Sequence, residues 1–80
     1  MDRFIIIGRT TCPFCNKAID YCRAKDVEYI FLNYTDQAQI LEEYKQFHKQ
    51  STVPIILANN MLTGHTKKVG GFSELLEFLQ

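Results

Sequence analysis

Residues 10–20, TTCPFCNKAID, decide how this chain is interpreted, because two cysteines flank Pro13 and Phe14 directly before a helical pattern. Small and apolar residues then recur at the i, i+3, i+4 and i+7 spacing of one helix face. These residues are Cys15, Ala18, Ile19 and Cys22. Proline suits the first helical turn, where its missing N–H would have no partner. We therefore predict a helix from Pro13 to about Lys25, with Cys12 just ahead of it.

The position of each cysteine predicts a different chemistry for its sulfur. Cys12 precedes the first turn, where free backbone N–H groups and the helix dipole stabilise a thiolate and lower its pKa from the usual value of about 8.5. Arg9, three residues upstream, adds positive charge. Cys15 begins the apolar face, so its thiol should be buried, ordinary and close enough to Cys12 to form a disulfide. An exposed, acidic thiol beside a buried one suits thiol–disulfide exchange, with Cys12 attacking and Cys15 resolving.

Two other uses of a Cys-x-x-Cys pair were weighed. A closed zinc site needs four ligands, and the remaining candidates are Cys22, His48 and His65. Cys22 lies on the predicted core face and neither histidine has a second ligand at short spacing, so we predict no metal site and a packing role for Cys22. A structural disulfide is rare in a cytosolic protein. The reactive dithiol is the favoured interpretation.

Composition limits the class of protein. Eighty residues with 46% hydrophobic content can form one folded domain over 1–80. Nine basic and nine acidic residues give a formal net charge of zero, which disfavours nucleic acid and anionic membranes as partners. No apolar run approaches the roughly 20 residues of a membrane span, and residues 1–10 lack the cleavage pattern of a signal peptide. We expect a cytoplasmic protein.

The rest of the chain predicts four strands and two further helices. Apolar, β-branched segments bounded by turn residues predict strands at 4–7, 28–33, 54–58 and 67–69. The order β-α-β-α-β-β-α predicts an α/β fold with one four-stranded mixed sheet and helices on both faces. The first two strands should be parallel, joined by a right-handed crossover, and the last two should form an antiparallel hairpin.

Each of the two later helices has a predicted start and an apolar face. Thr35 or Asp36 should cap the second helix, which ends near His48. Its apolar stripe consists of Ile40, Leu41, Tyr44 and Phe47. The last helix follows Gly70-Gly71, and its apolar face consists of Phe72, Leu75, Leu76 and Leu79.

Three motifs, in order along the chain, resemble those of the glutaredoxin family over nearly the whole length. CPFC at 12–15 is similar to the family's C-P-Y-C, with Phe14 replacing tyrosine, and Thr52-Val53-Pro54 is its T-V-P. GGFSE at 70–74 matches the G-G-x-[ST/D]-[DE] element, and Arg9 occupies the place of the family's basic residue. The resemblance implies a thioredoxin-like fold.

The resemblance also implies a glutathione site and a cis peptide bond before Pro54. A cis bond would bring the Val53 backbone beside the dithiol, where its N–H and C=O could pair with an extended ligand. The start of the last helix would bind glutathione's γ-glutamyl carboxylate, with Ser73 acting as N-cap, as ligand contact or as both. The implied glutathione-binding residues are Arg9, Phe14, Thr52, Val53, Pro54, Gly70, Gly71, Phe72 and Ser73.

Two segments depart from the family pattern. Residues 48–51 are HKQS, where the family usually has a glycine and a basic residue, so the contact to the glycyl carboxylate is left open between Arg9, Lys49 and Gln50. Residues 59–68, NNMLTGHTKK, make a longer connection than the family's tight hairpin. That connection is either a longer turn near the site or a tolerated surface insertion.

The expected function is a glutathione-dependent thiol–disulfide oxidoreductase with Cys12 and Cys15 as catalytic residues. Glutathione would be a co-substrate, with no tightly bound cofactor. The expected partners of this monomer are disulfide-containing or glutathionylated proteins, with ribonucleotide reductase as one candidate, in electron transport and cell redox homeostasis. One alternative is a redoxin reduced by thioredoxin reductase. The other is a module that binds an iron–sulfur cluster with glutathione, which Pro13 disfavours.

Overall fold

The isoleucine-rich segment near the N-terminus lies in the interior of a four-stranded sheet. The computed structural model describes residues 2–80. Its elements are β1 (Asp2–Gly8), α1 (Pro13–Ala24), β2 (Tyr29–Asn33), α2 (Ala38–Phe47), β3 (Ile55–Asn60), β4 (Thr66–Gly70) and α3 (Phe72–Phe78). β1 is parallel to β2 and antiparallel to β3, which is antiparallel to β4. The predicted element order and mixed sheet are confirmed.

Side chains of each strand alternate between the two faces of the sheet, so both faces carry apolar groups that helices cover. On one face α1 and α3 enclose a buried cluster of Phe4, Ile6, Ala18, Cys22, Ile56, Ala58 and Leu75. On the other face a smaller buried cluster joins α2 to the sheet through Ile7, Leu41 and Ile55. Cys22 is therefore a core residue, as its helical spacing predicted.

Several predicted boundaries move by a few residues. β2 begins at Tyr29 instead of Glu28, Pro54 precedes β3, and β3 and β4 extend to Asn60 and Gly70. The largest correction concerns α2, which starts at Ala38 with Gln37 as its N-cap, so neither Thr35 nor Asp36 caps it.

The hydroxyl group of Thr35 has a different partner. It accepts the backbone N–H of Thr10 at 2.9 Å, and the backbone N–H of Thr35 donates to Asn33 Oδ1 at 3.0 Å. The side chain expected to cap α2 instead ties the loop before Cys12 to the end of β2.

The predicted apolar stripe of α2 is only partly buried. Leu41 is buried and Tyr44 is half-buried, but Ile40 is 38% and Phe47 80% exposed. At 100° per residue, Phe47 points about 120° away from Leu41, whereas His48 returns to the same side. The ring of His48 stacks on Tyr44 with centroids 6.3 Å apart. The expectation that all four residues form a core face was wrong for Ile40 and Phe47.

The long connection between β3 and β4 lies at the opposite end of the sheet from the cysteines. Asn60 is paired with Asp2 at the start of β1, and Ile55 with Ile7 near its end. β1 runs six residue steps from Asp2 to Gly8, so its two ends lie about 20 Å apart. The connection is therefore a surface turn away from the dithiol. No helix described within residues 2–80 is long and apolar enough to cross a bilayer.

Candidate active site

The dithiol lies where β1 leaves the sheet and α1 begins. Cys12 is the N-cap of α1, with an extended backbone, and Pro13 occupies the first turn. The carbonyl of Cys12 accepts the N–H of Asn16 at 3.2 Å, which opens the helical hydrogen-bond series. The sulfur is thus held at the end of α1 where unpaired N–H groups collect.

Opposing effects act on the pKa of Cys12. Burial raises it, but the thiol of Cys15, the backbone N–H groups of Cys15 and Phe14 and the charge of Arg9 together lower the pKa below its usual value. The protonated Cys12 side chain makes no capping hydrogen bond. The neighbouring donors therefore stabilise the sulfur once it has lost its proton. Arg9 is the weakest of these influences.

Cys12 is less accessible than its position predicted. Only 8% of the residue is exposed, and its sulfur lies 3.7 Å from the carbonyl oxygen of Val53. The expectation of an exposed sulfur is corrected because the loop before Pro54 covers it.

Cys15 is fully buried, as predicted. Burial raises the pKa of its thiol to about 12, so the thiol stays protonated at neutral pH and can donate to the Cys12 thiolate. Its sulfur packs against Gly8, where any side chain would overlap it. Both cysteines and Cys22 are free thiols in this structure.

The Thr52-Val53-Pro54 loop completes one wall of the site. The Val53–Pro54 peptide bond is cis, as the family resemblance implied. The side-chain amide nitrogen of Gln50 donates to the carbonyls of Thr52 at 2.9 Å and Pro54 at 2.7 Å. Gln50, one of three candidates for a ligand carboxylate, therefore has its amide nitrogen occupied by backbone.

A shallow cavity of about 260 Å³ lies beside this loop. It brings together most of the predicted ligand-binding residues. Its lining consists of Phe14, Thr52, Val53, Pro54, Gly71, Phe72, Ser73 and Glu74. The rings of Phe14 and Phe72 lie 6.1 Å apart and form an apolar side. Arg9 and Gly70 were predicted with this group but do not line the cavity.

The start of α3 differs from the prediction for Ser73. Gly71 is the N-cap, so Ser73 is the second helical residue and does not cap the helix. The backbone N–H of Gly71 donates to Glu74 Oε1 at 2.7 Å. Gly70 has φ +124°, and a Cβ there would lie 2.9 Å from Cγ of Glu74. Gly70 is thus needed for the backbone turn and for the Glu74 side chain.

Sequence reasoning missed Gly8 and Glu74 as contributors to the site, and it considered Gln50 only as a contact for the ligand's glycyl carboxylate. Gly8 makes room for the Cys15 sulfur, and Gln50 fixes the loop around Val53. Glu74 lies in the cavity and bonds to Gly71. Only Glu74 had a usable signal, a glutamate at the third helical position after a capping residue. Within residues 2–80 no three metal-ligating side chains are grouped as a metal site.

Solved structures of several glutaredoxins share this fold. The buckwheat glutaredoxin–glutathione complex gives a TM-score of 0.72 at 20% identity, covering 95% of this chain and 66% of that chain. This chain thus spans just under two thirds of the buckwheat protein. Glutaredoxin from Brucella melitensis gives 0.73 at 22% identity, covering 96% and 77%. The fold and the cysteine pair define a dithiol protein of the thioredoxin-like class.

Sequence comparison gives the family within that class. The glutaredoxin family model matches residues 4–62. An uncharacterised glutaredoxin-like 8.6 kDa protein from the rubredoxin operon of Clostridium pasteurianum is 33% identical over 63 residues, 78% of this chain and 84% of that protein. The chain belongs to the glutaredoxin family. Family and fold together support a thiol–disulfide oxidoreductase.

Proposed function

We propose that this protein reduces protein disulfides and glutathione mixed disulfides, with Cys12 as nucleophile, Cys15 as resolving thiol and glutathione as co-substrate. The observation that carries the proposal is the cavity beside Cys12, which unites Phe14, the cis-proline loop and the start of α3. The contrast between the lowered pKa of Cys12 and the raised pKa of Cys15 supports the assignment of roles.

The first step is the same for both substrates. The Cys12 thiolate attacks one sulfur of the substrate disulfide, forms a new S–S bond and releases the other sulfur as a thiolate, which takes a proton from solvent. With a glutathionylated protein, the attacked sulfur is that of glutathione and the protein thiol leaves. Donors around Cys12 lower the pKa of its thiol and so increase the fraction present as thiolate.

The second step differs between the substrates. With a protein disulfide, Cys15 loses its proton, attacks the Cys12 sulfur and releases the reduced protein, leaving a Cys12–Cys15 disulfide. Two glutathione molecules then reduce that disulfide to the dithiol and leave as glutathione disulfide. With a glutathionylated Cys12, a second glutathione attacks the glutathione sulfur directly, and Cys15 is not needed.

The cavity supports glutathione as the ligand because its chemistry matches the γ-glutamyl end and the amide groups of that peptide. The Val53 backbone offers strand-like hydrogen bonds to the ligand's amide groups. The backbone N–H groups at the start of α3 and the Ser73 hydroxyl suit the γ-glutamyl carboxylate, and Glu74 suits the γ-glutamyl ammonium group. The exposed Arg9 and Lys49 are the remaining candidates for the glycyl carboxylate.

The test compares two electron donors. Turnover of a glutathionylated peptide and of a protein disulfide is measured with glutathione and glutathione reductase, and separately with thioredoxin reductase. Glutathione should support both reactions, and oxidised glutathione should add one glutathione to reduced Cys15→Ser, in which no resolving thiol removes it, seen as an adduct by mass. Cys12→Ser is the control that should abolish the adduct.

Other outcomes would replace the proposal. Reduction by thioredoxin reductase alone would identify a redoxin that does not use glutathione. Iron and visible colour retained after anaerobic purification would favour the cluster-binding alternative.

A further inference from the structure

Gln50 has a side-chain geometry that none of the motifs predicts. It lies half-buried after α2 and before the cis-proline loop. Its amide nitrogen contacts two carbonyl oxygens, those of Thr52 and Pro54, at 2.9 and 2.7 Å. An amide has two N–H donors, so one side chain satisfies both acceptors.

The orientation of the amide is fixed by its surroundings. If the amide were turned over, its oxygen would face two carbonyl oxygens, and three acceptors would then meet without a proton. The nitrogen must therefore face the loop. The clamp formed by Gln50, Thr52 and Pro54 holds the carbonyls on either side of Val53.

Val53 lies between the two carbonyls that Gln50 binds. Its carbonyl lies 3.7 Å from the Cys12 sulfur, and its backbone borders the cavity. A Cβ on Gly71 would lie 3.8 Å from the Pro54 carbonyl oxygen and 4.0 Å from the Gln50 amide nitrogen. The clamp thus also lies against the start of α3, on the other side of the cavity.

We infer that Gln50 is a positioning residue that orients the Val53 backbone for ligand binding, instead of contacting the ligand itself. The inference rests on the proposed function, in which Val53 pairs with an extended disulfide ligand. Two directed hydrogen bonds fix the Thr52–Val53 and Pro54–Ile55 peptide planes, which lie on either side of the Val53–Pro54 unit. Without these hydrogen bonds the Val53 backbone would no longer be held in the orientation that binds the ligand.

The experiment uses Gln50→Leu, which removes the donors at similar size, and Gln50→Glu, whose carboxylate would face the two carbonyl oxygens. Gln46→Glu is the matched control, because it adds the same charge one turn earlier at an exposed position. The substrates are a glutathionylated peptide and the same peptide carrying glutathione monoethyl ester, which lacks the glycyl carboxylate.

Both Gln50 variants should raise KM about five- to tenfold for both substrates, the loss expected when orienting hydrogen bonds are removed. The kcat and the rate of Cys12 alkylation should stay near those of the parent. Gln46→Glu should change none of these values. A KM increase confined to the substrate with a free glycyl carboxylate would overturn the inference and make Gln50 a ligand contact.

A second measurement does not depend on turnover. In the ligand-free protein, both side-chain amide protons of Gln50 should exchange with solvent more slowly than those of Gln46. Equal exchange rates would refute the clamp even if a variant fails to fold. Lack of turnover by the parent with glutathione would refute the proposed function alone, leaving the exchange result to decide the clamp.

Discussion

The pKa of Cys12 depends on donors that ordinary helix geometry brings to an N-cap sulfur. Burial opposes ionisation, and the Cys15 thiol is the strongest of the groups that outweigh it, followed by backbone N–H groups and then Arg9. A depressed pKa means that the reactive thiolate forms as pH rises through a value below that of a free thiol, about 8.5.

Alkylation of Cys12 against pH should therefore show a midpoint below about 8.5. Because Arg9 contributes least, Arg9→Ala should raise this midpoint less than Cys15→Ala, which removes the thiol donor. The rate of iodoacetamide reaction, with modified Cys12 identified by mass, measures both. A parent midpoint at or above that of a free thiol would contradict the electrostatic account.

The two sulfurs should separate cleanly by mutation. Cys12→Ser should abolish every activity, because Cys15 and Cys22 are fully buried and have raised pKa values. Cys15→Ser should retain much of the deglutathionylation activity, lose dithiol reduction of protein disulfides and accumulate a glutathione adduct. If folded Cys15→Ser is inactive in both assays while Cys12→Ser is active, the roles are reversed.

At the scale of elements, α2 ends in a conformation that its sequence does not favour. The N–H groups of Gln50 and Lys49 return to the carbonyls of Lys45 and Gln46 at 2.9 and 3.2 Å, the pattern of a Schellman motif. Lys49 therefore takes the left-handed position, φ +54°, where glycine is usual. This is the segment in which the chain lacks the family's glycine.

Lys49→Gly should therefore stabilise the protein. A residue with a Cβ loses roughly 1–2 kcal/mol in this conformation, part of which is offset by the greater freedom of glycine in the unfolded chain. We expect a net gain of about 0.5–1 kcal/mol in the free energy of unfolding, measured by urea titration. The control, Gln46→Gly within the helix, should lose roughly 0.5–1 kcal/mol. A destabilised Lys49→Gly would contradict the strain argument.

Sequence patterns predicted the elements well where one interaction dominated. The isoleucine run and the Cys15-Ala18-Cys22 spacing each depend on burial alone, and both are confirmed. The start of α2 was wrong because Thr35 bonds to Thr10, 25 residues away. The roles of Gly8 and Gln50 depend on tertiary neighbours, which local periodicity does not contain.

At the scale of the molecule, the sheet separates the dithiol from the long surface turn. The dithiol lies beyond the end of β1, and the long turn after β3 lies beside its start, about 20 Å away. Both regions expose large apolar side chains, with Phe14 54% and Leu62 86% exposed. Exposure alone therefore does not distinguish a ligand-binding residue from a surface residue.

A matched pair of substitutions tests this division. Phe14→Ser removes an aromatic wall of the cavity and its contact with Phe72, so KM for a glutathionylated peptide should rise about tenfold, as expected for the loss of buried apolar contact on binding. Leu62→Ser removes a still more exposed apolar side chain from the distant turn and should leave KM, kcat and the Cys12 alkylation midpoint unchanged. Both variants should unfold near the same urea concentration as the parent, because neither side chain belongs to the core. An increase in KM for Leu62→Ser equal to that for Phe14→Ser would show that the turn reaches the ligand, and the separation of the two ends would then have no functional meaning.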